Sequence, residues 1–150
     1  MLDAADAIIS IHPEHADAIL AGTKTIELRR RIPDLAPGTR LWIYATRPTQ
    51  AVVGMVTIDS IARAHPTTVW EQHGTRTGLD HRGFESYFNG FPVAFAVFLS
   101  GAQRVTPITI EELRGIRDGF RPPRVLVRLT VSEAHALRKL AARSFQTRRD

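Results

Sequence analysis

The sequence predicts an α+β domain, and three features carry that prediction. Apolar runs of strand length recur along the chain, separated by turns bearing Gly and Pro. Short stretches with helical spacing interrupt them, one near the N-terminus and two near the middle. The C-terminal stretch carries an apolar stripe at helical period. With 150 residues, 43% of them hydrophobic, the chain can bury a core of its own, and no break in it reads as a linker.

The elements follow in order. "AIISIHP" reads as a short buried strand stopped by Pro13, and a proline suits the first turn of a following helix. That helix is "PEHADAILAG": Glu14 and Asp17 lie near its positive end, Ala16, Ile19 and Leu20 form its apolar face, and Gly22 is a left-handed stop. "TKTIELRRR" alternates Ile26 and Leu28 inward against Thr25, Glu27 and Arg29 outward. "LAPGTRLWIYAT" gives a Pro-Gly turn and a strand, and "AVVGMVTIDSIARAH" a longer strand whose Gly54 marks a bulge or a close backbone approach. "TTVWEQHG" and "DHRGFESYFNG" read as short helices, with Asp80 as a cap and Gly74 and Gly90 as stops. "FPVAFAVFLSGAQRV" is the most apolar strand. "ITIEELRGIRDGFRPPRVLVRLT" then combines a helical turn, an extended Pro-Pro piece and a last strand over 125–129.

The tail is an amphipathic helix. Thr130 and Glu133 have capping-box spacing, and Ala134, Leu137, Ala141 and Phe145 form the apolar stripe. Lys139 and Arg143 fall on the opposite face, and Arg148 and Arg149 at the C-terminal end, where the helix dipole favours cations.

Charge and absences narrow the function. A net charge of +5 with a pI near 10.6 raises the local concentration of polyanions, so nucleic acid is the natural partner. The lack of cysteine excludes disulfides, thiolate zinc sites and a cysteine nucleophile. No apolar run approaches the roughly 18 residues that span a bilayer, and "MLDAADAII" lacks the basic start of a signal peptide, so a cytoplasmic location without membrane contact is expected. Gly-rich phosphate loops, H-E-x-x-H and G-x-S-x-G are all missing. His12 and His15 in "HPEH" stand three apart but have no third ligand, so neither a metal nor a cofactor is expected.

One stretch stands out, "AGTKTIELRRR". The chain has 18 Arg against two Lys, yet a lysine follows the glycine here. Lysine is a flexible point charge that gives up its proton when desolvated, which arginine does not. On a strand beginning at Lys24, Glu27 and Arg29 share a face and Lys24 points away. Lys24 joins them only if it still belongs to the turn after Gly22, a geometry that glycine makes cheap. The resulting row is either a solvated ion-pair ladder or a ligand site in which Glu27 fixes the cations or accepts from a base edge.

"GTKTIELR" fits G-x-K-x-x-E-x-R at Gly22, Lys24, Glu27 and Arg29, the motif of the ASCH family. "SIHPEHADAILAGTKTIELRRRIP", "LWIYATRPTQAVVG", "VWEQHGTRTGLDHRGFESYFNG" and "FRPPRVLVRLT" follow in the same order, so about residues 8–129 resemble stand-alone bacterial and archaeal ASCH proteins. The resemblance implies a PUA-like fold, a small β-barrel with flanking short helices, and a cleft where the motif residues gather. On this reading residues 1–130 form the domain and residues 131–150 a basic helix packed on it.

What the resemblance implies for function is binding of RNA, other single-stranded nucleic acid or a nucleotide-like small molecule in a basic cleft. Its expected residues are Lys24, Glu27, Arg29, Tyr44, Thr46 and Arg47, with Tyr44 as a stacking platform and Arg47 for a phosphate. Trp70 is a further stacking candidate, Trp42 in the alternating "LWIY" is expected in the core, and Arg121 and Arg124 of "RPPRVL" close the cleft from the other side. The alternative is a metal-independent hydrolase of RNA or of a modified nucleoside, with Lys24 and Glu27 catalytic. The amidohydrolase branch of the family places a threonine nucleophile three residues after the lysine and a glutamate in a later loop. Here Glu27 and Thr77 stand at those places, which leaves a swapped pair with Glu27 as base and Thr77 as nucleophile. Family members often carry Gln-Ser after the prolines, where this chain has Arg124-Val125. A third reading is a regulator that docks a protein through its tail helix.

Overall fold

The computed structural model describes residues 4–143. Strand β1 (Asp6–Ile11) leads through Pro13 into helix α1 (Pro13–Leu20), and strand β2 (Ile26–Arg29) follows. Strands β3 (Arg40–Ala45) and β4 (Ala51–Ala64) come next, then helix α2 (Pro66–His73), a 3-10 turn at Gly74–Arg76 and helix α3 (His81–Phe88). Strand β5 (Ala94–Thr109), helix α4 (Ile110–Ile116), strand β6 (Leu126–Arg128) and helix α5 (Val131–Ala141) complete the described chain.

The six strands form one sheet in the order β2-β5-β4-β3-β1-β6. β1 runs parallel to β3 and the remaining pairings are antiparallel. The two long strands set the shape. β4 and β5 pair along their length with register shifts at Val52/Gly54, Met55/Thr57 and Ile58/Ser60, and bulges of this kind bend a strand and raise its twist. The sheet therefore curls into a half-barrel, the α+β architecture expected, and its edge strands β2 and β6 do not pair with each other.

Strand alternation sorts the apolar residues into separate cores. Ile9, Ile43, Ile58 and Val97 meet Ile19 of α1. Ile8, Trp42, Tyr44 and Ile108 lie on another face, covered by Leu113 of α4 and Leu137 of α5. Ile26 and Leu28 pack with Val69 of α2 and with Phe84 and Phe88 of α3.

The strongest local signals correspond to observed caps and close contacts. Asp80 caps α3 by accepting from the Gly83 N–H at 2.7 Å, and Thr130 and Glu133 make the capping box of α5. Gly54 is a site of close approach: a Cβ there would lie 2.3 Å from Leu20 Cδ2 and 2.8 Å from the Gln103 carbonyl oxygen. Gly74 does follow the end of α2, but its φ is −50° and not positive, and the chain runs on into the 3-10 turn. Its smallness serves packing, since a Cβ would sit 2.8 Å from the Trp70 ring. Arg143 does not lie on a solvated helix face but follows α5 and pairs with Glu112 and the Pro107 carbonyl. Glu112 is drawn into that position by a capping box with Thr109 that starts α4. Phe145, Arg148 and Arg149 lie outside the described residues. Among the described residues no helix is long and apolar enough to cross a membrane.

Candidate nucleic-acid interface

The site begins with the stop of α1. Gly22 takes φ +82° and folds the chain back, so that the N–H groups of Thr23 and Lys24 both donate to the Ala18 carbonyl, at 3.0 and 3.1 Å. Lys24 is thereby kept in the turn before β2, and its side chain enters the protein instead of following the strand. It is 3% exposed. Its Nζ donates to the Thr77 carbonyl and lies 3.5 Å from Glu27 Oε1.

Glu27 stands between two cations. Its Oε2 accepts from Arg29 Nε at 2.9 Å and lies 2.7 Å from Arg29 Nη2, which also donates to the Ser10 carbonyl at 2.8 Å. Alternation along β2 sends Ile26 and Leu28 into the third core and turns Glu27 and Arg29 to the opposite side. That side is a cleft and not bulk solvent, since the Glu27 and Arg29 side chains are 9% and 14% exposed. The row is therefore not a solvated ladder, whose pairs would contribute little.

The cleft encloses about 660 Å³. Ser10, His12 and His15 border it from the β1–α1 junction, Thr46 from the end of β3, Tyr87 from α3, and Pro122 to Arg124 from the segment before β6. Burial lowers the Lys24 pKa from its ordinary value, and the nearby Glu27 carboxylate opposes that. His15 is also lowered, first by burial and then by the Lys24 charge, with Glu27 pulling the other way. The floor thus holds a desolvated ammonium and a guanidinium joined by one carboxylate, with a neutral-favouring imidazole beside them. Among the described residues no three His, Asp or Glu side chains are grouped to hold a metal.

Of the residues expected at the cleft, Lys24, Glu27, Arg29, Thr46 and Arg124 do line it. Tyr44 does not. Its ring is 1% exposed and packs toward Phe120, 6.3 Å between centroids, so it offers no face to a base. Alternation in "LWIY" explains this, because Tyr44 shares its face with Trp42 under α4 and α5. The Tyr44 hydroxyl has no hydrogen-bond partner among the described residues, and burial pushes its pKa up. Arg47 and Arg121 are exposed and neither borders the cleft. Trp70 stacks on His81 and packs on Phe84, each at 5.0 Å, in a separate groove. Thr77 is fully buried, and its hydroxyl donates to the Gly74 carbonyl at 2.8 Å. Committed to that turn, it is not placed as a nucleophile.

Four cleft residues escaped the sequence reading. The spacing of His12 and His15 suggests only a metal pair, although the helix start at Pro13 places both at the junction that borders the cleft. Ser10 sits near the end of a strand that is apolar from Ala7 to Ile9, and its buried hydroxyl has no partner among the described residues. Tyr87 arrives on a helix about sixty residues away in sequence from β2, which no local pattern announces.

Comparison with known proteins bears on the whole arrangement. The family model of the ASCH domain matches residues 9–109. An ASCH domain-containing ribonuclease of Zymomonas mobilis subsp. mobilis is 39% identical over 140 residues, 93% of this chain and 95% of that protein. The crystal structure of ASCH from Zymomonas mobilis has a TM-score of 0.91 at 38% identity, covering 94% of this chain and 99% of that one. The N-terminal domain of Staphylothermus marinus McrB shares the fold alone, with a TM-score of 0.57 at 10% identity over 92% of this chain and 98% of its own.

Proposed function

The chain belongs to the ASCH domain family, and from that premise we propose that its cleft binds RNA, with Lys24, Glu27 and Arg29 as the polar floor. The observation that carries this reading is the charge balance of the cleft. Lys24, Arg29 and Arg124 line the cleft with a single carboxylate, Glu27, which pairs with the first two, so a phosphate group would complete the site. A cleft of 660 Å³ has room for a nucleotide unit. The name of the Zymomonas relative points to the same class of ligand.

The test is a titration of single-stranded RNA against salt. Log affinity should fall linearly with log salt, by about 0.7 for each phosphate contacted, and Lys24→Ala should weaken binding about tenfold or more while the protein still melts cooperatively. Absent or salt-independent binding by the unaltered protein would overturn the reading.

A second reading, metal-independent cleavage of RNA, is favoured by His15. A half-buried imidazole that prefers its neutral form can take the proton of a ribose 2′-hydroxyl. The 2′-oxygen then attacks phosphorus, the bond to the 5′-oxygen breaks, and the 5′-oxygen takes a proton from an acid at the mouth, where His12 lies. Lys24 and Arg29 would offset the charge that develops on the phosphoryl oxygens. Formation of a 2′,3′-cyclic phosphate that a chelator does not diminish is expected.

A further inference from the structure

Beside the main cleft lies a smaller hollow of about 250 Å³. The two share Arg29, Tyr87 and Arg124, and the hollow adds Arg30, Arg31 and Phe91. Three successive arginines on a strand would alternate between faces, but β2 ends at Arg29. Past that point the chain leaves the sheet, and all three reach one concavity.

Arg30 is fixed there. Its Nε donates to the Tyr87 carbonyl at 2.7 Å, and its guanidinium lies 4.3 Å from the Tyr87 ring centre and 4.8 Å from that of Phe91. A guanidinium laid against aromatic rings keeps its charge and presents a flat surface on which a base can stack. Arg31 and Arg124 are exposed. Among the described residues, carboxylates pair with Arg29, Arg40, Arg104, Arg117, Arg138 and Arg143, and with none of Arg30, Arg31 or Arg124. Positive charge without internal compensation is thus gathered beside aromatic rings at the exit of the cleft. Arginines that served solubility alone would have no reason to converge on one concavity with two rings.

We propose that this hollow is a second nucleotide subsite, a proposal that rests on the RNA reading of the main cleft. The phosphodiester leaving the cleft passes between Arg29 and Arg124, the next base stacks against the cluster of the Arg30 guanidinium with Tyr87 and Phe91, and Arg31 meets the phosphate beyond. The ligand is then a single-stranded RNA segment longer than one nucleotide, because a paired base cannot be splayed onto such a platform.

The experiment measures binding of a nucleoside monophosphate and of a short unstructured oligoribonucleotide to the unaltered protein, Arg31→Ala and Arg31→Lys. The oligonucleotide should bind the unaltered protein about tenfold or more tighter than the monophosphate. Arg31→Ala should weaken the oligonucleotide about fivefold and reduce its salt slope by about one phosphate, leaving the monophosphate unchanged, and Arg31→Lys should restore most of the loss. Equal affinity for the two ligands in the unaltered protein would overturn the subsite, as would an Arg31→Ala effect on both ligands alike or on neither. These outcomes leave RNA binding by the main cleft standing. Failure of the unaltered protein to bind either ligand removes that reading and the subsite with it.

Discussion

Lys24 is buried because of the residue two places before it. Gly22 pays no steric penalty for its positive φ, and the reversal it permits sends a lysine inward that would otherwise have started a strand. The motif G-x-K-x-x-E-x-R is thus a statement about backbone shape as much as about charge, and that part of the site was readable from the sequence. His15 was not, because its place at the cleft depends on what packs around it. Its pKa is lowered, so the neutral base persists below pH 6.5, and a rate that depends on it should fall only as pH drops through that lowered value. If the cleft cleaves RNA, the pH-rate profile will show an acidic limb lying below pH 6.5, and His15→Gln will abolish the limb and slow cleavage about a hundredfold. Unchanged cleavage by that variant would remove His15 from the chemistry. Tyr44 shows the opposite failure of local reading: a tyrosine at a strand end looks available, and only the helices covering that face decide that it is not.

At the scale of elements, the contact between α1 and the sheet sets how well the cleft is held, because His15 rides on α1. Leu20 packs against the backbone of Gly54, where β4 bulges. Gly54→Ala would force a methyl group into Leu20 and against the Gln103 carbonyl, and the second of these is backbone that cannot yield cheaply. A loss of about 1–3 kcal/mol is expected from urea unfolding midpoints. A change within experimental error would mean that α1 is free to shift. Most elements were legible in the sequence, since caps, prolines and alternation act within a few residues. Their order in the sheet was not, because β2 finds β5 and β1 finds β3 through contacts distant along the chain.

Across the whole molecule, the C-terminal helix is strapped to the body by charge. Arg117 meets Glu133 at 2.6 Å, and Arg138 meets Asp6 at 3.1 Å, the same Asp6 that accepts from the buried Trp42 indole. The Arg117 guanidinium and the α5 capping bonds hold the Glu133 carboxyl down at about 2. The folded state therefore resists its protonation, so this contribution is complete above pH 4.5 and is lost as pH falls toward 2. Glu133→Gln should lower stability at neutral pH by about 1–2 kcal/mol and flatten the acid limb in thermal melts taken between pH 2.5 and 7. Parallel curves for the two proteins would show that the strap does not set acid stability.

The open side of the half-barrel gives Arg29 a second consequence. β6 stops pairing with β1 at Ile9, and from Ser10 onward the free edge of β1 is met by the Arg29 guanidinium reaching over from β2. The sheet is latched by a side chain where it lacks a backbone ladder, and the latch is one of the groups a phosphate would engage. If a phosphate binds there, occupancy of the cleft and this Arg29 contact are linked. An anion that draws Arg29 toward itself loosens the latch, and a sheet that holds Arg29 tightly weakens the anion, by the same factor in each direction.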